Sequence, residues 1–490
     1  MKVTLIDPTK FPTESTAMLQ ALYSRSNKSV DDHINNQSSE QLEASMKKFY
    51  VGYGHKSIGD CASTTLFIEN VSVLAAKAIQ DFFAYKGQEC STRYIDFKES
   101  GYVLPEGISE ELKWVPERCI ELYEKVRDEV YKNLKATKEM PGDVKESVWD
   151  KTLRARAFDV ARGWLPAGVK TNLSWHADLR QLSDRIELLI HHPLEEVGTI
   201  FKEIRKQCIE TYPNSFKAKD YEETSEFYKA HALEYNYGLL SLDEYHGRID
   251  FDDLSQENNI MYIDNVLPAT DELLDIAESR PERALLPRNF DGLGDFEVAF
   301  PLDFASFRDI QRQRSAFIPN VILLPFAGMH AWYYDSLPED VRKDIVHETT
   351  RIRVTLEEAI KDETLDKIAG QYLTPMGFKV PVTMKAGVRA MTYILELRSS
   401  KHVHQTLRDV ISVIGQRFHS TFGTYNLYMD TSPDELDARR GEQDIVQLTD
   451  NEKFEKELEG MSDRKPDIEI EFSIGEEGKL ENTKIELGDD

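Results

Sequence analysis

Residues 161–192 read ARGWLPAGVKTNLSWHADLRQLSDRIELLIHH, and residues 370–402 read GQYLTPMGFKVPVTMKAGVRAMTYILELRSSKH. Set one above the other, Pro166 falls on Pro375, Trp175 on Met384 and Arg180 on Arg389, each pair 209 positions apart. Both stretches lead into runs with apolar residues at helical spacing, LEEVGTIFKEIRKQC from Leu194 and VHQTLRDVISVIGQRF from Val403. Upstream, a looser pair corresponds at an offset of 231. Thr64–Glu69 (TTLFIE) is β-branched and apolar and predicts a strand, and VSVLAAKAIQDFF after it predicts a helix with an apolar side. In the second half EVAF (297–300) predicts the strand and DFASFRDIQRQR, from Asp303, the helix, with Pro301 expected to end the strand. Self-similarity at a nearly fixed offset is the mark of a repeated unit. The expected architecture is therefore α+β, with two tandem copies of one unit over 1–220 and 225–432.

The 490 residues carry 87 acidic and 60 basic side chains, a net charge of −27. A chain this acidic lacks the basic face that duplex nucleic acid or an anionic membrane requires, so neither partner is expected. The hydrophobic fraction of 40% is enough for packed cores. The first residues, MKVTLIDPTKF, lack the apolar core of a signal peptide, and no apolar run is long enough to span a bilayer. Cysteines stand at 61, 90, 119 and 208 without a CxxC pair. They read as reduced thiols of a cytoplasmic protein rather than as a disulfide framework or a metal site. From Gln443 onward the last 48 residues hold 16 acidic and 6 basic side chains. Within them IEIEFSI and KIEL flank GEEG, which predicts a hairpin in an acidic, solubilising extension over 443–490.

Two short runs carry candidate chemistry. Gln88-Glu89-Cys90-Ser91-Thr92-Arg93-Tyr94 follows the first helix. A guanidinium can grip phosphate with two parallel bonds, a hydroxyl can bond a further oxygen, and a carboxylate can accept from sugar or base. The same residues also make an ordinary surface turn with a local ion pair. Arg312-Gln313-Arg314 closes the second helix. Two arginines there suit a pyrophosphate, and equally suit the negative end of a helix dipole.

The segment GHKSIGDCASTTLFIENVSVLAAKAIQDFFAYKGQECSTRYIDF resembles the signature region of the flavin-dependent thymidylate synthases, whose pattern is a histidine-led segment, a strand and helix, then RHRxxSxNExSxRY. DVARGWLPAGVKTNLSWHADLRQL resembles that family's VARxxLP stretch, FRDIQRQRSAF its RHR half, and VRAMTYILELRSSKHVHQTLRDV its late LR and histidine block. The departures fall into a partition. The first copy keeps Glu89, Ser91, Arg93 and Arg162 but has Asp81-Phe82-Phe83 for RHR and Leu189 for the late arginine. The second keeps Arg312, Arg314, Arg398 and His402, with Gln313 for the central histidine. It has Asn320, Ile322 and Leu324 at the ExSxR places and Gln371 at the VAR place.

The resemblance implies a fold of antiparallel sheet and long helices in each copy. It implies FAD as cofactor, dUMP as acceptor, methylenetetrahydrofolate as carbon donor and NADPH as reductant. By the same resemblance, Glu89, Ser91, Arg93, Arg162, Arg312 and Arg398 are expected at dUMP, with Arg398 stabilising charge on the pyrimidine. His55, Arg312, Gln313, Arg314, Arg389 and His402 are expected at FAD. One pocket would be shared by both copies, and two chains would form a homodimer equivalent to a four-copy assembly. Asp309, where the family has a glutamine, points to a different base such as cytosine as an alternative. A non-catalytic flavin- or nucleotide-binding homologue is the other.

Overall fold

The structure is a computed structural model. It describes residues 12–24, 26, 30–36, 38, 41–42, 45, 56–92, 95–142, 144–216, 221–237, 260–282, 284–421, 426–434, 436, 468–474 and 480–487. Contacts group residues 63–440 into one compact unit and residues 1–62 with 441–490 into another.

In the larger unit the alternating run after Ala62 forms β1 (Ser63–Ser72). At its end the Ser72 hydroxyl accepts from the Ala75 backbone N–H at 2.9 Å and starts the helix Val73–Gln80. Every residue of that helix is buried, as expected of a segment apolar almost all round. The chain then makes the short strand β2 (Lys86–Glu89) and the long helices Trp114–Thr137 and Glu146–Ala161. It returns as β3 (Lys170–Asp178) and closes with helices Leu179–Leu189 and Glu195–Thr211. The sheet is antiparallel in the order β1-β3-β2. Gly87 lets β2 lie close on β3, because a Cβ there would stand 1.9 Å from the Ser174 carbonyl oxygen.

The same succession recurs later. After β4 (Met261–Val266) come β5 (Gly294–Asp303), the helix Phe304–Ile310, the long helix Glu339–Lys361, β6 (Lys379–Gly387), and helices Val388–Ser399 and Gln405–Thr421. This sheet is antiparallel in the order β4-β5-β6. One expectation is corrected: Pro301 does not end its strand, which continues to Asp303 with Pro301 opposite Pro381. Pairing of β4 to β5 stops at Ala299, so beyond it β5 has an edge where a missing N–H removes no ladder bond. A second correction is that the helix stops at Ile310, so Arg312 and Arg314 lie on the turn after it.

Residues 163–168 and 372–377 run antiparallel against each other. Ala167 donates to the Thr374 carbonyl at 3.0 Å and Met376 to the Leu165 carbonyl at 2.8 Å. Gly168 donates to Tyr372 at 2.9 Å and Gly377 to Gly163 at 2.7 Å. Each bond maps onto its partner under the 209-residue offset, and Pro166 bridges its own counterpart Pro375. The ribbon therefore has a local twofold relation, and it closes at Gly163 and Gly377, where a Cβ would meet the Tyr333 ring at 2.6 Å and the Met329 sulfur at 2.3 Å. Trp164, Trp175, Phe300 and Tyr333 are among the largest fully buried side chains.

In the smaller unit the described elements are helices Thr13–Tyr23 and Val30–Asn36, the 3-10 turn Lys56–Cys61, and a hairpin of β7 (Ile468–Ile474) and β8 (Leu480–Leu487). β7 and β8 pair antiparallel with Ile468 opposite Leu487. Among the described residues no helix is long and apolar enough to cross a membrane.

Candidate functional site

Beside the ribbon lies a cavity of about 310 Å³ whose wall is drawn from both halves of the larger unit. β2 and the following loop give Lys86, Glu89, Cys90, Ser91 and Thr92, and the end of the helix Glu146–Ala161 gives Arg162. The helix Phe304–Ile310 and the turn after it give Arg308, Asp309, Arg312 and Arg314. Of the residues expected from sequence, Glu89, Ser91, Arg162, Arg312 and Arg314 meet here. Five cationic and two anionic side chains line the cavity, a local reversal of the sign of the chain as a whole.

Glu89 is already engaged by the protein on both oxygens. Arg308 Nη2 donates to Oε1 at 2.6 Å, and Lys77 Nζ and Gln80 Nε2 reach Oε2 at 3.0 and 2.8 Å. Lys77 also donates to the Gln80 side-chain oxygen Oε1 at 2.7 Å. Burial alone would raise the Glu89 carboxyl, but the charges of Arg308 and Lys77 and their hydrogen bonds outweigh it and hold the pKa at about 2. Lys77 is only 1% exposed, and burial lowers its ammonium to about 8 against the pull of Glu89.

Arg162 is 2% exposed. Its Nη2 donates to Ser306 Oγ at 3.0 Å, and Nη1 stands 3.6 Å from Asp309 Oδ2. Behind Ser306 lies a polar cluster with little or no exposure. Asp303 caps the helix by accepting from the Ser306 N–H at 2.9 Å, and accepts from the Tyr333 hydroxyl at 2.7 Å and the Thr406 hydroxyl at 2.6 Å. His404 Nδ1 stands 2.8 Å from Thr406 Oγ1 and 3.2 Å from Ser306 Oγ, and the ring meets Trp332 edge-on. Burial first, and Asp303 second, push the Tyr333 phenol well above its ordinary value, so it stays a neutral donor. Sequence reading found neither this cluster nor Lys77 and Arg308. The available signal was a basic residue in each of two largely apolar helices, at places 231 apart.

Arg314 turns its guanidinium over the Tyr85 ring at 5.3 Å and donates to the Gln311 carbonyl at 2.8 Å. It also borders an apolar hollow of about 240 Å³ walled by Phe82, Phe83, Phe317 and Pro319. Gln313 borders the same hollow, and with its carboxamide oxygen turned toward Arg398 it accepts from Nε at 2.9 Å and from Nη2. Arg398 thus stands against Gln313 and is not in the wall of the cationic cavity. Arg389 donates to the Leu286 carbonyl at 2.7 Å and lines a separate hollow with Tyr393 and Asp291. His402 lies on the turn between the last two helices of the unit, where its backbone N–H reaches Ser400 Oγ at 3.5 Å. Neither lines the cavity that holds Arg162. His55 and Arg93 lie outside the described residues.

At the places related by the offsets, the arrangement is different. Gln371, the counterpart of Arg162, accepts from the Leu323 N–H at 3.0 Å, and Asp81, the counterpart of Arg312, accepts from the Asn320 N–H at 3.3 Å. Burial raises Asp81 to about 6, against the opposing pull of Arg185. Residue types able to hold an anion therefore converge on one of the two related places. Among the described residues no group of three or more histidine, cysteine and carboxylate side chains could hold a metal ion.

Residues 4–214 match the family model described as thymidylate synthase complementing protein. A UPF0159 protein of Thermoplasma acidophilum is 24% identical over 464 residues, covering 80% of this chain and 90% of that one. UPF0159 proteins of Chlamydia muridarum and Chlamydia pneumoniae are each 22% identical, over 442 and 437 residues, covering 78% of this chain and 80% of theirs.

Proposed function

We propose that this chain is a flavin-dependent enzyme that methylates dUMP to dTMP with methylenetetrahydrofolate, working in one composite site of two diverged copies of a unit. The observation that carries the reading is the cavity where Glu89, Ser91 and Arg162 face Arg312 and Arg314. Its excess of positive charge suits a nucleotide phosphate, and the burial of Arg162 and Arg308 strengthens their contacts. The match over residues 4–214 gives the chemistry its class.

The donor set fits a flavin nucleotide in kind. Arg312 and Arg314 would hold the FAD pyrophosphate, and the apolar hollow that Arg314 shares suits a planar ring. FAD, when bound, supplies the redox step that the side chains cannot, with NADPH as its reductant. The chain's own residues bind and orient. Arg162, anchored on Ser306, presents a fixed positive charge, and Ser91 offers a hydroxyl at the same wall. Arg398 enters this reading through Gln313, which it holds beside the two phosphate-binding arginines.

Asp309 favours a second reading in which the base carries an exocyclic amine, as cytosine does where uracil has a carbonyl, because a carboxylate in this wall can accept from that amine. One experiment separates the readings. The purified chain is loaded with FAD and given methylenetetrahydrofolate, NADPH and either dUMP or dCMP tritiated at C5. Tritium release from dUMP supports the synthase. Release from dCMP alone moves the substrate to cytosine. A chain that takes up neither flavin nor nucleotide overturns both.

A further inference from the structure

Two guanidinium groups in the cavity wall are almost fully buried, Arg162 at 2% and Arg308 at 8% exposure. They come from opposite halves of the unit. Neither Nε has a hydrogen-bond partner among the described residues. Nη1 of Arg308 is weakly used, 3.5 Å from Thr92, while Arg162 Nη1 stands 3.6 Å from Asp309 and the same guanidinium is hydrogen-bonded to Tyr333. Arg308 belongs to a cluster with Lys77 and Glu89 in which two positive charges meet one negative. A buried excess charge beside a cavity is costly unless an anion completes it. Arg312, by contrast, is exposed and can be satisfied by water.

We propose that Arg308 and Arg162 form a buried clamp for a phosphate dianion, and that Glu89 is a positioning residue that aims Arg308 and makes no contact with the ligand. The proposal rests on the nucleotide reading above and changes which residues grip. Glu89 keeps both its oxygens on protein donors, and Arg308, held by Glu89 through Nη2, keeps Nη1 for the phosphate. Lys77 contributes charge from behind. Glu89, Gln80, Arg308 and Arg312 are the groups that act on it. With its ammonium near 8 in this arrangement, an added anion raises that value, so binding takes up a proton. Affinity therefore declines as pH rises above about 8, where phosphate is already dianionic.

The test is calorimetric titration of the full chain with inorganic phosphate and, separately, with dUMP. Arg308→Met leaves Lys77 and Glu89 as a neutral pair and is expected to weaken phosphate binding roughly 10- to 100-fold, the range of a lost charge-assisted bond. Arg312→Met is expected to weaken it only a few-fold. Arg308→Lys, which keeps the charge without the fork, is expected to fall between, and carries the test if the methionine variant does not fold. Glu89→Gln is expected to change phosphate affinity in the parent and to add nothing in the Arg308→Lys background. Lys77→Met is expected to flatten the decline above pH 8. Equal losses for Arg308→Met and Arg312→Met, or a parent chain that binds no phosphate, overturn the clamp. An added loss confined to dUMP on combining Glu89→Gln with Arg308→Lys overturns the positioning role. Phosphate bound through Arg308 by a chain that binds dUMP no better than phosphate leaves the clamp standing and removes the thymidylate reading.

Discussion

Asp303 has no exposed surface, yet it accepts hydrogen bonds from Tyr333, Thr406 and the Ser306 backbone. Through Ser306 it sets the height of Arg162 in the wall. Asp303→Asn replaces one acceptor oxygen by a donor facing a donor, and is expected to cost about 2–4 kcal/mol, read as a lower urea midpoint. Asp81 has the opposite sign. Its folded value of about 6 lies above its ordinary 3.8, so its contribution to stability is full below about 3.8 and is lost as pH rises through 6. Asp81→Asn keeps an acceptor for Asn320, and is expected to gain about 1–2 kcal/mol at pH 7.5 and almost nothing at pH 3.5, measured by urea unfolding at both. Glu89, Ser91, Arg312 and Arg314 were legible because each sits in a short polar run, and Arg162, in an apolar stretch, only through the family resemblance. Arg308 was not, because its meaning depends on Glu89, 219 positions away.

At the scale of elements, the ribbon of 163–168 against 372–377 admits no side chain at its two facing glycines. Gly163→Ala meets the Tyr333 ring, and Gly377→Ala meets Met329 and the Gly163 backbone. Each is expected to cost about 1–3 kcal/mol, read as thermal midpoints, and the Gly377 change keeps its clash with the Gly163 backbone even if Met329 yields. The strands and helices flanking the ribbon follow from alternation and helical spacing, which are local. The run of β5 through Pro301 was not readable, because whether a proline breaks a strand depends on which edge has a neighbour, and that is fixed by where β4 stops.

At the scale of the molecule, the cavity draws on both halves of a single chain. Chains carrying Arg162→Met and chains carrying Arg308→Met each have every one of their cavities damaged. Mixing the two, after unfolding and refolding together, is expected to restore no nucleotide binding, measured by calorimetry against the parent chain. Recovery would mean that the working pocket is assembled across chains. The repeated pattern at 209 positions was visible in the letters, and so was the gathering of charge from both halves. That the two halves pack as one unit from Ser63 to Arg440 was not, because the backbone bonds of the ribbon leave no mark in residue type.

The ribbon also sets an order of events during synthesis. The carbonyls of Leu165 and Gly163 must wait 211 and 214 residues for the amides of Met376 and Gly377 that satisfy them. At about 5–20 residues per second this is a delay of roughly 10–40 s. Throughout it the emerging first half displays unpaired backbone next to the Trp164 ring, an open template for any passing strand. The nascent chain should therefore depend on a holding chaperone, and its requirement should end abruptly once residue 377 has cleared the ribosome exit.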